Sequence, residues 1–401
     1  MKIALYQPWI YLHGGLEKSL LEVVTRSSHQ WVVYTGHYEP ENTFKEFEDV
    51  DVRVLNPTTV KRTIGGTLYS AYQAITTKIP DEDFDAIVVW CDGIGDLITF
   101  RNHDLPLFNI CSTPLRAAFD PVYEEMTIKN KGLLYRLSYN IFKYAFRVVD
   151  RKAWSYYDGI ITTSTEVKSR IIAGGLCTNE SKMQMAYPGI EWHIDISNVA
   201  YEPFILLPGR IMWTKNIEQG IKAFILAQLP KPWKLVVAGF VDEKSQSYLQ
   251  KLKDMVPKST TVEFVISPTG EQLVDLYTRA SFCLFTPLNE DWGIVPLESM
   301  RYGKAVISNA RGGPLESVID GKTGFLHEPE DYDGWASSIR KLALDPALCL
   351  AMGQHANFHV RNFTWRRFVR RIDLSFTRWV KKKKRAEKVV DQVKLKLAHK
   401  G

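Results

Sequence analysis

The sequence has no apolar run that approaches the roughly 18 residues a membrane-crossing helix needs. It has no C-x-x-C pair, and its five cysteines, Cys91, Cys111, Cys177, Cys283 and Cys349, are an odd number. Three stand in or beside apolar, strand-like runs ("VVWC", "FNIC", "FCLF"), so buried reduced thiols are expected rather than a disulfide framework or a zinc site. A secretory leader is not expected either. The opening "MKIALYQPWIYLHGG" has one early lysine, Gln7 and Pro8 break its apolar run, and no small-residue cleavage site follows, so it reads as a first strand. No G-x-G-x-x-G occurs after it, which argues against a nicotinamide cofactor. Internal repeats are absent, and the only low-complexity stretch is "KKKKR".

What the chain does have is bulk. With 401 residues and 45% hydrophobic content it exceeds one ordinary core, and two globular domains are expected. Its formal charge of +6 is unevenly spread: residues 361–401 hold 15 Lys/Arg against 3 Asp/Glu, a net +12, leaving −6 for the rest. A mildly acidic globule with a basic tail and no recognition motif is not expected to bind nucleic acid.

Short Val/Ile-rich runs alternate with helical patterns throughout, the signature of parallel α/β sheets buried on both faces. The first half offers "KIALYQPW", "WVVYTGH", "VDVRVLN", "AIVVWC", "LPLFNICS" and "GIITTST" as strands, with helices such as 16–27 and 166–173 between them. The pattern restarts after residue 200 with "FILLPGRI", "KLVVAGF", "TVEFVIS", "SFCLFTP" and "AVISNA", separated by helices near 217–228, 243–255, 271–280 and 297–302. The turn-rich 187–203 reads as a linker. The expected plan is a Rossmann-like domain at 1–190, a second at 191–363, and a C-terminal helix and tail at 364–401. The two parallel sheets face across a cleft lined by strand carboxyl ends.

Polar residues at those ends are the candidate site. In "PLNEDWGIVPLESM" (287–300) a strand ends near Pro287, and Pro296 suits a first helical turn while pushing Val295 toward an extended conformation. Glu290 then lies in the loop and Glu298 in the first helical turn, with Gly293 allowing close backbone approach to a ligand. Glu298 also has a purely structural reading, since the helix dipole stabilises an acid there. In "LLPGRIMWTKNIEQGIKAF" (206–224) Arg210 and Lys215 follow a strand-end glycine and precede a helix starting near Asn216. That arrangement suits an anion, diphosphate being the natural occupant, with solvated surface charge as the plainer alternative. Gly312-Gly313 can offer backbone N–H groups to a phosphate or sugar. In the first half, Gly14-Gly15 follow the first strand. Asp92, Asp96, Arg116 and Asp120 ("WCDGIGD", "CSTPLRAAFD") are strand-end polar groups that either face the cleft or serve as turn residues and caps. Asp81-Glu82-Asp83 precedes its strand, at the far end, and is not read as a metal site.

Together these segments resemble glycosyltransferase family 4, the retaining GT-B enzymes. Glu290 and Glu298 match its E-x7-E element, Arg210 and Lys215 its diphosphate-binding pair, and Gly14 and Gly15 its glycine-rich N-terminal loop. "NEDWGIVPLESM…GGPLESVIDGKTGFLHEP" and "YTGHYEPENTFKEF" look most like the mannosyltransferases that extend dolichol-linked oligosaccharides. "CSTPLRAAFD" is similar to the Cys-His-Thr-Pro-x-Arg…Asp motif of bacterial O-antigen mannosyltransferases, with Ser112 in place of a histidine near the transferred sugar. Ser112 can hydrogen-bond a hydroxyl but carries no charge.

The resemblance implies transfer of a hexose, mannose from GDP-mannose, to a glycan or polyprenyl-linked glycan, with no bound metal and no further cofactor. Glu290, Arg210 and Lys215 would be catalytic. Glu298, Gly14, Gly15, Gly293, Ile294, Val295 and Ser112 would bind the donor; Asp92, Arg116 and Asp120 would bind the acceptor. Two alternatives stay open: a UDP-glucose or UDP-N-acetylglucosamine donor, and a non-catalytic nucleotide-sugar or lipid-binding module.

The tail "NFTWRRFVRRIDLSFTRWVKKKKRAEKVVDQVKLKLAHK" has apolar residues at helical spacing among arginines and lysines. In GT-B proteins the last helix commonly returns to the N-terminal domain, so 364–378 is expected to be core. Residues 379–401 are the expected contact with an anionic membrane surface, the plainer alternative being a solvated tail. The basic, aromatic stretch 128–152 is a second amphipathic candidate. The implied location is cytoplasmic, peripheral on the cytoplasmic face of a membrane.

Overall fold

β-Branched runs too short for helices become buried parallel strands here, and the amphipathic segments between them cover the sheets. The structure is a computed structural model and describes residues 1–58, 60, 64–90, 93–129, 131–192, 194 and 199–398. The chain forms two compact units, Met1–Tyr187 with Trp365–Gly401, and Pro188–Thr364.

In the first unit, β1 (Lys2–Tyr6), β2 (Gln30–Thr35), β3 (Val52–Val54), β4 (Ala86–Val89), β5 (Leu107–Cys111), β6 (Gly159–Thr162) and β7 (Met183–Met185) form one sheet of order β3-β2-β1-β4-β5-β6-β7. All its pairings are parallel; Leu5 of β1 stands between Val33 of β2 and Val88 of β4, where the strand order reverses. The helices are α1 (Gly15–Arg26), α2 (Ile64–Thr76), α3 (Arg116–Phe119), α4 (Pro121–Ile128), α5 (Leu133–Trp154) and α6 (Thr165–Ala173), with a 3₁₀ segment at Ile94–Phe100. β7, "MQM", was not expected: it is a half-buried edge strand without a single β-branched residue.

The last helix, α14 (Trp365–Ala398), belongs to this unit. Trp365, Phe368, Val369, Ile372, Phe376, Trp379 and Val380 are buried against Ile3, Leu5, Val33 and Phe108, with the Phe376 ring stacked on Phe108 at 5.1 Å. The apolar stripe thus runs two residues further than expected, and Trp379 and Val380 are core rather than surface tail. Two lysines of "KKKK" are also paired, Lys383 with Asp158 at 2.6 Å and Lys384 with Asp85 at 2.7 Å.

In the second unit, β8 (Phe204–Pro208), β9 (Lys234–Gly239), β10 (Val262–Ile266), β11 (Phe282–Phe285), β12 (Val306–Asn309) and β13 (Gly324–His327) form a parallel sheet of order β10-β9-β8-β11-β12-β13. Around it lie α7 (Ile217–Ala227), α8 (Gln246–Asp254), α9 (Gly270–Arg279), α10 (Ile294–Arg301), α11 (Pro314–Ser317), α12 (Tyr332–Leu344) and α13 (Pro346–Val360). Ile205, Leu207, Phe224 and Trp335 are among its buried core. One boundary differs from expectation in a way that matters. α10 starts at Ile294, so Val295 is helical and Pro296 is the third residue, where its missing N–H is still one of the unbonded first-turn donors. Glu298 is therefore the fifth helical residue; no acid lies in the first turn, and the dipole explanation for it falls away.

Inside the first unit, Asp150 of α5 and Asp96 of the 3₁₀ segment are both buried. Asp96 accepts from the Tyr157 hydroxyl at 2.5 Å and from Asn109 Nδ2 at 3.0 Å, so it is an internal group and not one facing outward from a strand end. The Asp150 carboxyl oxygens have no hydrogen-bond partner among the described residues. Burial first, and the Asp96 charge second, hold the Asp150 carboxyl well above the usual carboxylate range. A raised folded-state value favours the folded form below the ordinary carboxyl pKa, and that advantage is lost as pH rises toward the folded value. Asp150→Asn should therefore raise the melting temperature, and more at about pH 8 than at about pH 5, by roughly 2–4 °C per kcal/mol relieved. Thermal melts at the two pH values check this; an equal change at both would mean the carboxyl is not protonated.

Candidate active site

The strand-end loops of the second unit carry the chemistry. After β8 the chain turns at Gly209 (φ 137°), against Gly239, where a Cβ would strike the Gly209 carbonyl. Gly209 N donates to Ala238 O at 2.9 Å and Ile211 N to Phe240 O at 2.8 Å. These two bonds hold Arg210 between them, with its side chain exposed. A 3₁₀ turn, Trp213–Lys215, and a left-handed Asn216 (φ 48°) then lead into α7. After β11 the chain passes through Glu290 to Gly293 (φ 81°) and into α10. Gly293 has no side chain to cap α10, so the orphan first-turn N–H groups of Ile294 and Val295 meet no capping side chain, whereas at the start of α7 Ile217 N donates to the Tyr248 hydroxyl at 3.0 Å.

The two loops touch. Lys215 Nζ lies 2.6 Å from Glu290 Oε2, the pair being 24% and 21% exposed. That contact is fixed from beneath by neutral groups. Asn309, fully buried at the end of β12, donates through Nδ2 to the carbonyls of Thr286 (2.6 Å) and Pro287 (3.1 Å). Its Oδ1 accepts from Gln219 Nε2 at 2.8 Å, and Gln219 Oε1 accepts from Asn216 Nδ2 at 2.6 Å. The Thr286 hydroxyl donates to the Lys215 carbonyl at 2.7 Å. One buried amide chain thus ties the Lys215 turn to the Glu290 loop.

Gly312 and Gly313 serve the same loop. A Cβ on Gly312 would strike the Glu290 carbonyl, one on Gly313 the Trp292 carbonyl, and Gly313 N donates to Glu290 O at 2.9 Å. Their expected role as phosphate or sugar donors gives way to this close packing, since the Gly313 N–H is already bonded. Trp292 is buried, its Nε1 donating to Pro188 O at 2.9 Å and its ring lying 5.3 Å from that of Phe363.

Glu298 is not in contact with Glu290 by any hydrogen bond. It is half-buried, its Oε2 accepts from the Tyr277 hydroxyl at 2.9 Å, and burial pushes its pKa up. Tyr277 is a buried phenol whose pKa burial, and then the Glu298 charge, raise well above the ordinary value, so it remains a donor. One Glu298 oxygen is therefore committed and the other is open to a ligand hydroxyl.

In the first unit the expected residues divide. Gly14 is the N-cap of α1, and a Cβ there would strike the Glu17 carboxylate, so an acid already sits over this helix start; Gly15 has open space around it. Ser112 Oγ accepts from Trp90 Nε1 at 3.0 Å. Arg116 lies 3.3 Å from Asp120, whose fully buried carboxylate also caps α4 through Val122 N and Tyr123 N and stands 3.6 Å from Arg170. Asp120 is thus an anchor and cap, its burial leaving no face for an acceptor. Asp92 and Cys91 lie outside the described residues. Among the described residues no group of three His, Cys, Asp or Glu is gathered to hold a metal ion.

Asn309, Gln219, Thr286 and Tyr277 were missed in the sequence. Asn309, at the end of "AVISNA", carried a faint signal as a polar residue closing an apolar strand; the others looked like ordinary helix and strand-end residues.

The family described as "Glycosyl transferases group 1" matches residues 191–358, which bracket this site. The α-1,3/1,6-mannosyltransferase ALG2 of Rhizomucor pusillus is 24% identical over 402 residues, covering 87% of this chain and 85% of the relative. The human ALG2 enzyme is 25% identical, covering 86% of this chain and 89% of its own length. Among solved structures, Anabaena HepE in complex with UDP and glucose superposes with a TM-score of 0.68 at 18% identity, covering 94% of this chain and 99% of that one. The cations, the uncapped start of α10 and the paired loop carboxylate stand inside the matched domain, and the two-sheet architecture is that of the GT-B structures. The chain therefore carries a group 1 glycosyltransferase domain on a GT-B fold and is, by that domain, a glycosyltransferase.

Proposed function

We propose that the chain moves mannose from GDP-mannose to a glycan or polyprenyl-linked glycan acceptor, with retention at the anomeric carbon. The observation that carries this reading is the Lys215–Glu290 contact, 2.6 Å long and held by the buried Asn309 amide beside the uncapped start of α10. The similarity to enzymes named as mannosyltransferases, extending over most of the chain, supports the choice of sugar.

In this reading the donor's diphosphate lies against the first-turn N–H groups of α10, with Arg210 and Lys215 as its counter-charges. The C1–O bond to the phosphate breaks and the acceptor oxygen bonds to C1 on the same face. The departing phosphate oxygen takes the acceptor's proton, so no strong base is required of the protein. Charge grows on the leaving group, and fixed cations stabilise it most in the transition state. Lys215 has three N–H donors and can keep Glu290 while reaching a phosphate. Glu290 holds sugar hydroxyls and favours the positive character at C1. Glu298 offers its second oxygen to the ribose hydroxyls. With two side-chain cations in place, no metal is needed to neutralise the leaving group. On the acceptor side Arg116 is the group to test, with Asp120 holding it in place.

Calorimetric titration with GDP, UDP and ADP tests the donor: GDP should bind best, and unchanged turnover in excess EDTA should accompany it. Preference for UDP would move the reading to a UDP-sugar donor, and binding of none to a non-catalytic module. Glu290→Ala should lower kcat by roughly 10²–10³-fold while GDP affinity stays within a few-fold; equal loss of both would remove its assigned role. Asn309→Leu should lower kcat on the order of 10²-fold through misplacement of Lys215 and Glu290, with the melting temperature recorded alongside to separate this from unfolding. A variant that stays folded with unchanged kcat would show that the amide chain does not position the pair.

A further inference from the structure

The surface of α5 has a composition that ordinary solvated helices avoid. Leu133, Leu134, Leu137, Ile141, Tyr144 and Val148 recur at helical spacing along it and are 82%, 83%, 56%, 63%, 74% and 51% exposed. The opposite face is what holds the helix: Tyr139 donates to Ala117 O, Arg147 to Ala118 O, and Lys143 pairs with Glu124. The charge beside the apolar stripe is of one sign. Residues 129–152 contain Lys129, Lys131, Arg136, Lys143, Arg147, Arg151 and Lys152, and their one acid, Asp150, is buried. Nearby, α2 exposes Leu68, Tyr69 and Tyr72 and has no charged residue in its 13 positions.

We infer that α5 is a membrane-docking helix that lies flat on an anionic bilayer, its Leu133–Val148 stripe in the acyl boundary and its exposed flanking cations, Lys131, Arg136, Arg151 and Lys152, on the headgroup phosphates. Charge decides the occupant. A second copy of the chain would bring the same cation-rich helix face against itself, where like charges repel. Anionic lipid supplies both the apolar phase and the counter-charge. The inference rests on the reading that the acceptor is lipid-linked, and it names α5, not α14, as the principal contact. The aromatic stripe of α14 is core as far as Val380, and Lys383 and Lys384 already have acidic partners.

Co-sedimentation of the full chain with vesicles tests this without donor or transfer. The protein should bind phosphatidylcholine vesicles containing phosphatidylglycerol, and pure phosphatidylcholine far less. Leu134→Glu with Ile141→Glu should lower the partition at least about tenfold, because both side chains would leave the apolar phase. Leu134→Ser with Ile141→Ser gives a milder second test. Melting temperature should be unchanged, since both positions are exposed. Lys381→Ser with Lys382→Ser should change binding by less than about threefold. Absence of wild-type binding, equal binding by the variants, or loss of a wild-type dimer in the variants would each overturn the inference. Vesicle binding that persists while GDP titration fails would instead overturn the transfer reading and leave the docking helix standing.

Discussion

A buried primary amide must satisfy both its donors and its acceptor, because any left unbonded inside a protein is costly. Asn309 meets that demand by reaching two carbonyls of the Glu290 loop and one side chain of α7. The geometry of the second unit's site follows from this. Strand ends in a parallel sheet lie along one edge, but the loops leaving them need not agree in position. Here the Lys215 turn and the Glu290 loop are cross-linked twice, through Asn309–Gln219–Asn216 and through Thr286 to the Lys215 carbonyl. The links are neutral, so they keep the loops in place without adding charge beside Lys215 and Glu290. The close seat of Gly312 and Gly313 on the same loop completes the support from the other side.

The strands were legible because burial on both faces demands continuous β-branched runs, and eleven such runs stand out in the sequence. The edge strands β7 and β13 were not, for "MQM" and "GFLH" meet solvent on one side and carry no β-branched residue. Arg210, Lys215 and Glu290 could be picked out because strand-end cations and acids follow a sheet rule that sequence order exposes. Asn309 and Tyr277 could not, since their roles depend on which residues of other strands and helices they touch. Glu298 was identifiable as a residue, but its setting was not: a helix that begins two residues before its proline moved it out of the first turn.

The first unit gives a more mixed picture. Asp120 reads in sequence as a polar strand-end group, yet a buried carboxylate with two backbone N–H donors and two arginines nearby is held for structure. Its value to a site lies in orienting Arg116, which remains 28% exposed. Ser112, held by the Trp90 indole, is fixed in position but uncharged. At Gly14 the neighbouring Glu17 carboxylate occupies the approach that a phosphate would need. An anion is therefore better served by α10, whose start has neither a capping side chain nor a first-turn acid.

Two helices of this chain, α5 and α14, carry the same kind of sequence: aromatic and aliphatic residues at helical spacing, interrupted by lysine and arginine. Periodicity alone assigns both an apolar face and says nothing of what covers it. The difference is made by long-range packing. α14 lays Phe368, Ile372 and Phe376 onto the first sheet, where Phe108 and Trp31 offer flat aromatic partners. α5 is anchored by a different side, through Tyr139, Lys143 and Arg147 together with Phe146 and Trp154 packed in the core, so its Leu133–Val148 stripe is turned outward. A second apolar stripe left exposed along one helix departs from the polar face a solvated helix presents. Such a stripe marks an interaction surface, and the exposed cations beside α5 favour a partner with a negative surface.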